Sequence, residues 1–139
     1  MRKVSSILLV DDDETTNFVN QILLEDIKVA DQILTATNGE EALVLIKSQC
    51  AERGCPTLVL LDINMPVMNG FEFLAAYDKL EMDNKQSVVV VMLTTSLNPN
   101  DLKRLDDLPN QGFLNKPLTA KMVDQVLETY FGQDNQPNH

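Results

Sequence analysis

Four short strand-like runs in this chain each hand over directly to side chains that could do chemistry. Asp11, Asp12 and Asp13 follow residues 7–10. Asp62 follows residues 58–61 and is succeeded by Ile63, Asn64, Met65 and Pro66. Thr94, Thr95 and Ser96 follow residues 88–93, and Lys116 and Pro117 follow residues 112–115. Carboxylates held close together repel, and a hard divalent cation removes that penalty. Oxygen-only donors with no His or Cys nearby point to Mg²⁺, which keeps several waters and takes few protein ligands. A carboxylate emerging from an apolar run, as Asp62 does, is expensive to bury unless paired. With Mg²⁺ beside it and the Lys116 ammonium opposite, Asp62 stays ionised and can act as an oxygen nucleophile, and attack on phosphorus gives an acyl phosphate. Lys116 can then hold the phosphoryl oxygens, and the Thr94 hydroxyl can donate to one of them. Metal and lysine together offset the charge spreading over the transferring group. The Lys116–Pro117 bond is a cis candidate, a geometry that would aim the lysine inward. Taken singly, Asp11–Asp13 could merely cap a helix and Lys116 or Thr94 could be surface residues. Their joint placement after successive runs carries the reading.

The elements that must position these groups alternate along the chain. Residues 6–10 read as a first strand, and residues 15–26 as a helix carrying Phe18, Val19, Ile22 and Leu23 at helical spacing. Residues 32–36 are a weaker second strand. Asn38 is placed to cap a second helix, with Glu41 reaching back three residues later and Ala42, Leu43, Leu45 and Ile46 as its apolar stripe. Gly54 is placed to stop it. Residues 57–61 form a third strand and residues 70–80 a third helix with Phe71, Phe73, Leu74 and Tyr77. Residues 88–93 are the fourth strand, and Asn98-Pro99 opens a fourth helix. Residues 112–115 are a short fifth strand. Thr119 caps a last helix with Met122, Val123, Val126, Leu127, Tyr130 and Phe131, and residues 132–139 are a polar tail. The third and fourth strands lack polar alternation, so both faces must be covered, as in a parallel sheet between helix layers. Five strand–helix repeats imply a doubly wound α/β fold, whose ligands sit beyond the carboxyl ends of the strands.

Composition narrows the partners. The chain has 139 residues and a net charge of −10, and 44% of its residues are apolar. One domain with a packed core is expected over residues 1–139, with its core at about 5–131. An acidic surface repels phosphate backbones and anionic lipid heads, so nucleic acid and membrane are set aside as direct partners. The N-terminal apolar run is too short for a signal peptide, and no run approaches a membrane span, so a cytoplasmic protein is expected. Cys50 and Cys55, with no neighbouring His, make a poor metal site and read as reduced thiols. His139 reads as a solvated tail residue.

The motifs Ile-Leu-Leu-Val-Asp-Asp-Asp, Leu-Leu-Asp-Ile-Asn-Met-Pro-Val-Met-Asn-Gly, Met-Leu-Thr-Thr-Ser and Phe-Leu-Asn-Lys-Pro-Leu resemble those of response-regulator receiver domains. The resemblance spans about residues 5–131. It implies a flavodoxin-like strand order 2-1-3-4-5 with helices on both faces. It implies Asp62 as phosphoacceptor and Asp11 and Asp12 as the acid pocket, with Asp12 the more direct Mg²⁺ ligand and Asp13 outside the metal shell. Asn64 would give its backbone carbonyl to the metal. Thr94 and Lys116 would contact the phosphoryl group. Thr94 and the aromatic Phe113 would form a switch, and Asn64 and Ser96 would tune phosphoryl lifetime. The polar stretch 81–87 and the loop 51–57 look longer than in the smallest members. The implied partners are a sensor histidine kinase or histidine phosphotransfer protein and a downstream protein target. The face made by the fourth helix, fifth strand and last helix would be the output surface and could support a homodimer. With only a short tail after Phe131, output by binding alone is expected.

Two other readings fit parts of the sequence. Asp11-Asp12-Asp13-Glu14-Thr15 also fits the Asp-x-Asp-x-Thr signature of haloacid-dehalogenase-like phosphatases, with Asp11 as nucleophile and Asp13 as acid/base, but that reading leaves Asp62 without a role. A degenerate receiver that only binds protein is the other.

Overall fold

Strands buried on both faces need no polar side, which is why continuous runs of Val, Leu and Ile build this sheet. The computed structural model describes residues 3–52, 58–63, 65, 67–80, 88–94, 99–100, 103 and 112–131. Within them β1 (Val4–Val10), β2 (Ala30–Ala36), β3 (Leu58–Asp62), β4 (Val89–Thr94) and β5 (Gly112–Asn115) form one parallel sheet in the order β2-β1-β3-β4-β5. Helices α1 (Glu14–Ile27), α2 (Gly39–Glu52), α3 (Gly70–Asp78) and α4 (Ala120–Phe131) flank it. This is the doubly wound, flavodoxin-like arrangement expected from the sequence. The helix expected to open at Asn98 is only partly covered: residues 99, 100 and 103 are helical, and its other residues lie outside the described ones. Gly54, Cys55, the stretch 81–87 and the tail 132–139 also lie outside them. No helix among the described residues is long and apolar enough to cross a membrane.

Successive strand residues point to opposite faces, and the sheet sorts its apolar side chains accordingly. Leu8, Val10, Val59, Leu61, Val90 and Met92 pack with Ala42 and Ile46 of α2 and Phe71, Phe73, Leu74 and Tyr77 of α3. Ile7, Leu9, Leu58, Leu60, Val91 and Leu93 pack with Leu24 of α1 and Val123, Val126 and Leu127 of α4. Burying a side chain of this size contributes about 1.5–3 kcal/mol, so each layer is held by many such contributions.

Tertiary pairing moves several boundaries from their expected places. β1 and β2 each begin two residues early, at Val4 and Ala30, because the Val4–Ala30 pairing extends the ladder and the Val4 N–H donates to the Val29 carbonyl at 2.7 Å. α3 stops at Asp78 instead of residue 80, where Lys79 and Leu80 turn back on Ala76 and Tyr77 three residues earlier. Glu41 reaches the Thr37 N–H (2.7 Å), while Asn38 Oδ1 accepts from the Glu41 N–H (2.8 Å). Thr119 caps α4 as expected, its hydroxyl accepting from the Met122 N–H.

α1 departs most from its sequence pattern. The stripe that meets the sheet is Asn17, Asn20 and Leu24, at i, i+3 and i+7. Phe18, Val19 and Ile22 therefore lie outside it, 62%, 56% and 49% exposed. The helix buries two amides and leaves three large apolar side chains in solvent.

Candidate functional site

Parallel strands all deliver their carboxyl ends to one rim, and the register here brings those of β1 and β3 level, with Val10 opposite Leu61. Asp11 continues the side of Ile7 and Leu9, and Asp62 that of Leu58 and Leu60, so both face the α1–α4 layer. Both are buried. One carboxylate oxygen from each of Asp11, Asp12 and Asp62 lies within 4.8 Å of the others, with Asp12 on the solvent side. These are hard oxygen donors with no competing nitrogen or sulfur ligand in the group, a set whose chemistry suits Mg²⁺.

Lys116 enters this cluster from the far side of the sheet. Its Nζ donates to Asp11 Oδ2 at 2.6 Å and stands 3.4 Å from Asp62 Oδ1. Burial by itself pushes the ammonium pKa down, but the hydrogen bond to Asp11 and the charges of Asp62 and Asp11 outweigh it, and the lysine ends above its ordinary value. The group is thus held as a cation between two buried carboxylates. Its backbone N–H donates to the Thr94 carbonyl at 2.8 Å, tying the end of β5 to the end of β4. The Lys116–Pro117 bond is cis. Thr94 is buried at the end of β4. Phe113, opposite Met92 on the edge strand, is 46% exposed.

Asp13 belongs to the helix and not to the cluster. Its carboxylate accepts from Thr16 Oγ1 (2.9 Å) and the Thr15 N–H (3.0 Å), and these bonds, the hydroxyl's foremost, lower its pKa. This N-cap role removes the second member of the Asp11/Asp13 acid–base pair that the phosphatase reading required. Only the Asp13 backbone N–H serves the site, donating to Asp11 Oδ1 at 2.9 Å. Asn64 and Ser96 lie outside the described residues.

Two features escaped sequence reading. Asn69 and Glu72 form a reciprocal capping box that starts α3, legible in hindsight as Asn-x-x-Glu before an apolar run. Asn17 is buried and its Nδ2 donates to the carbonyls of both Asp11 and Ala36, each at 3.0 Å. Its one signal was a polar residue on the 17–20–24 stripe. Beside Lys116 a cavity of about 250 Å³ opens between Thr15, Thr16, Val19 and Asn20 of α1 and the segment Lys116, Pro117 and Leu118.

Residues 7–128 match the response regulator receiver domain family. Among curated proteins, the chain is 34% identical to hybrid signal transduction histidine kinase B of Dictyostelium discoideum, over 92% of this chain and 7% of that protein. It is 28% identical to the probable C4-dicarboxylate response regulator DctR of Bacillus subtilis, over 93% of this chain and 53% of that one. The chain thus spans about half or less of the length of these two relatives. Among solved structures, the two component response regulator from Cytophaga hutchinsonii superposes with a TM-score of 0.82 at 29% identity, covering 92% of this chain and 97% of that one.

Proposed function

The chain belongs to the response-regulator receiver family, a phosphoacceptor signalling module of two-component systems and not an enzyme in its own right, and from that premise we propose that Asp62 is the residue that takes the phosphoryl group. The observation that carries this is Lys116: one ammonium within 3.4 Å of Asp62 and 2.6 Å of Asp11 marks where a transferring phosphoryl group's charge would be met. An Asp62 carboxylate oxygen attacks phosphorus of a phosphohistidine. The P–N bond breaks with its electron pair going to the imidazole nitrogen, which takes up a proton. Lys116 holds a phosphoryl oxygen, and the Thr94 hydroxyl donates to another. Asp11, Asp12 and Asp62, with the Asn64 carbonyl, would hold Mg²⁺. When bound, the ion supplies positive charge that offsets the anionic oxygens in transfer. Thr94 and Phe113 form the switch, Phe113 turning inward as Thr94 is drawn to the phosphoryl group, and Asn64 and Ser96 tune how long that group survives.

The donor is a histidine kinase or histidine phosphotransfer protein, acting in the cytoplasm. It reaches the site across α1. Phe18, Val19 and Ile22 offer an apolar surface, and the cavity beside them is walled by the same Lys116 that touches Asp62. Output goes to a downstream protein through the face of β5 and α4 with the helix before β5, a face that would also serve a homodimer.

Incubation with Mg²⁺ and acetyl phosphate, followed by borohydride reduction and peptide mapping, tests the assignment. Label on Asp62 that is lost in Asp62→Asn, with the fold unchanged by circular dichroism, is expected. Label on Asp11, or undiminished uptake by Asp62→Asn, would refute it.

A further inference from the structure

The Asp11 carbonyl belongs to the peptide unit that joins Asp11 to Asp12. Whatever holds that oxygen fixes the plane from which both carboxylates project. Asn17 Nδ2 holds it at 3.0 Å, and the same nitrogen donates to the Ala36 carbonyl, also at 3.0 Å. The Ala36 carbonyl in turn accepts from the Asp11 N–H at 3.1 Å. One side-chain amide therefore closes a ring around Asp11, tying both its backbone ends to the last residue of β2. The carboxylate of Asp11 is fixed separately, by the Asp13 N–H and Lys116.

Most side chains that meet this face of the sheet are apolar, Leu24 on the same stripe of α1 among them, yet position 17 carries an amide. Asn17 is buried, and among the described residues its Oδ1 meets no hydrogen-bond partner. What the amide contributes is its two donor bonds, one of them to the Asp11 carbonyl. We propose that Asn17 is a positioning residue for the acid pocket, orienting the Asp11–Asp12 peptide so that both carboxylates converge on one cation. The inference rests on reading Asp11, Asp12 and Asp62 as the Mg²⁺ site.

Mg²⁺ binding itself is the readout, followed by nuclear magnetic resonance of the Asp13 backbone amide during titration with MgCl₂, with no phosphodonor present. Removing a partner that orients a metal ligand commonly weakens affinity about 10–100-fold. Asn17→Ala and the near-isosteric Asn17→Leu are each expected to weaken Mg²⁺ binding by about 10-fold or more. Leu24→Ala, on the same buried stripe but far from the pocket, is expected to lower the melting temperature and leave Mg²⁺ affinity at the wild-type value. Wild-type affinity in either folded Asn17 variant overturns the proposal, as does equal weakening in Leu24→Ala, which would assign the effect to helix stability. Absence of Mg²⁺ binding by the wild-type protein overturns the metal reading and this inference together. Loss confined to the Asn17 variants supports it.

Discussion

α1 and α3 lie on opposite faces of the same sheet and follow opposite rules. α3 turns Phe71, Phe73, Leu74 and Tyr77 into the core, with Phe73 and Tyr77 rings stacked 5.9 Å apart. Its capping box satisfies its first turn. α1 buries Asn17, Asn20 and Leu24 and leaves Phe18, Val19 and Ile22 in solvent. The difference follows from what each helix touches. α3 opens at the same rim, its Gly70 N–H donating to the Ile63 carbonyl at 2.8 Å, but the side chains it buries belong to the core, so apolar burial decides its orientation. α1 begins directly at the acid cluster, and its inner face must meet strand-end carbonyls that need donors. Local rules break where a helix also serves a site.

The largest effect that tests this contrast is expected on α3. Phe73→Ala, at a fully buried position, should destabilise the fold by about 3–5 kcal/mol in urea titration. A loss below about 1 kcal/mol would remove the core role assigned to α3.

The second test uses pH. Burial pushes the Tyr77 hydroxyl up to about 12, so the fold favours its neutral form. Because the folded pKa lies above the unfolded value of about 10, this contribution is complete below pH 10 and is lost as pH rises from about 10 to about 12. Lys116, also raised, adds a loss at high pH that is common to wild type and Tyr77→Phe. The stability difference between the two, from urea titrations at pH 9 to 12, should therefore move in favour of Tyr77→Phe. A constant difference would contradict it.

The smallest change in stability belongs to α1. Phe18→Ser and Ile22→Ser should each alter folding free energy by no more than about 0.5 kcal/mol. Both should retain labelling by acetyl phosphate, which needs no docking surface, and should slow transfer from a histidine-phosphorylated donor. Equal rates from both donors would sever the apolar face of α1 from the donor's approach.

Much of this architecture was legible in local pattern. The unalternating runs at 58–61 and 88–93 required a sheet covered on both sides; Asp62 and Thr94 follow them directly, and Lys116 follows the short run 112–115. Thr119 and Asn38 announced helix starts because capping is settled within four residues of chain. The early starts of β1 and β2 were not legible, since they depend on the Val4–Ala30 pairing between separate elements. Nor was the outward turn of Phe18, Val19 and Ile22. Periodicity says that a helix has a stripe, but the rotation of the helix on its sheet selects which stripe is buried.

By itself, the sequence determined the element types, the layered α/β class and the residue types gathered at strand ends, because these depend on periodicity and on the shared polarity of parallel strands. Only the tertiary structure decided that Lys116 reaches Asp11 across 105 residues and that Asn17 clamps the carbonyls of Asp11 and Ala36. Hydrogen bonds and ion pairs of this kind depend on distances of a few tenths of an ångström between elements, and those distances exist only once the sheet has assembled.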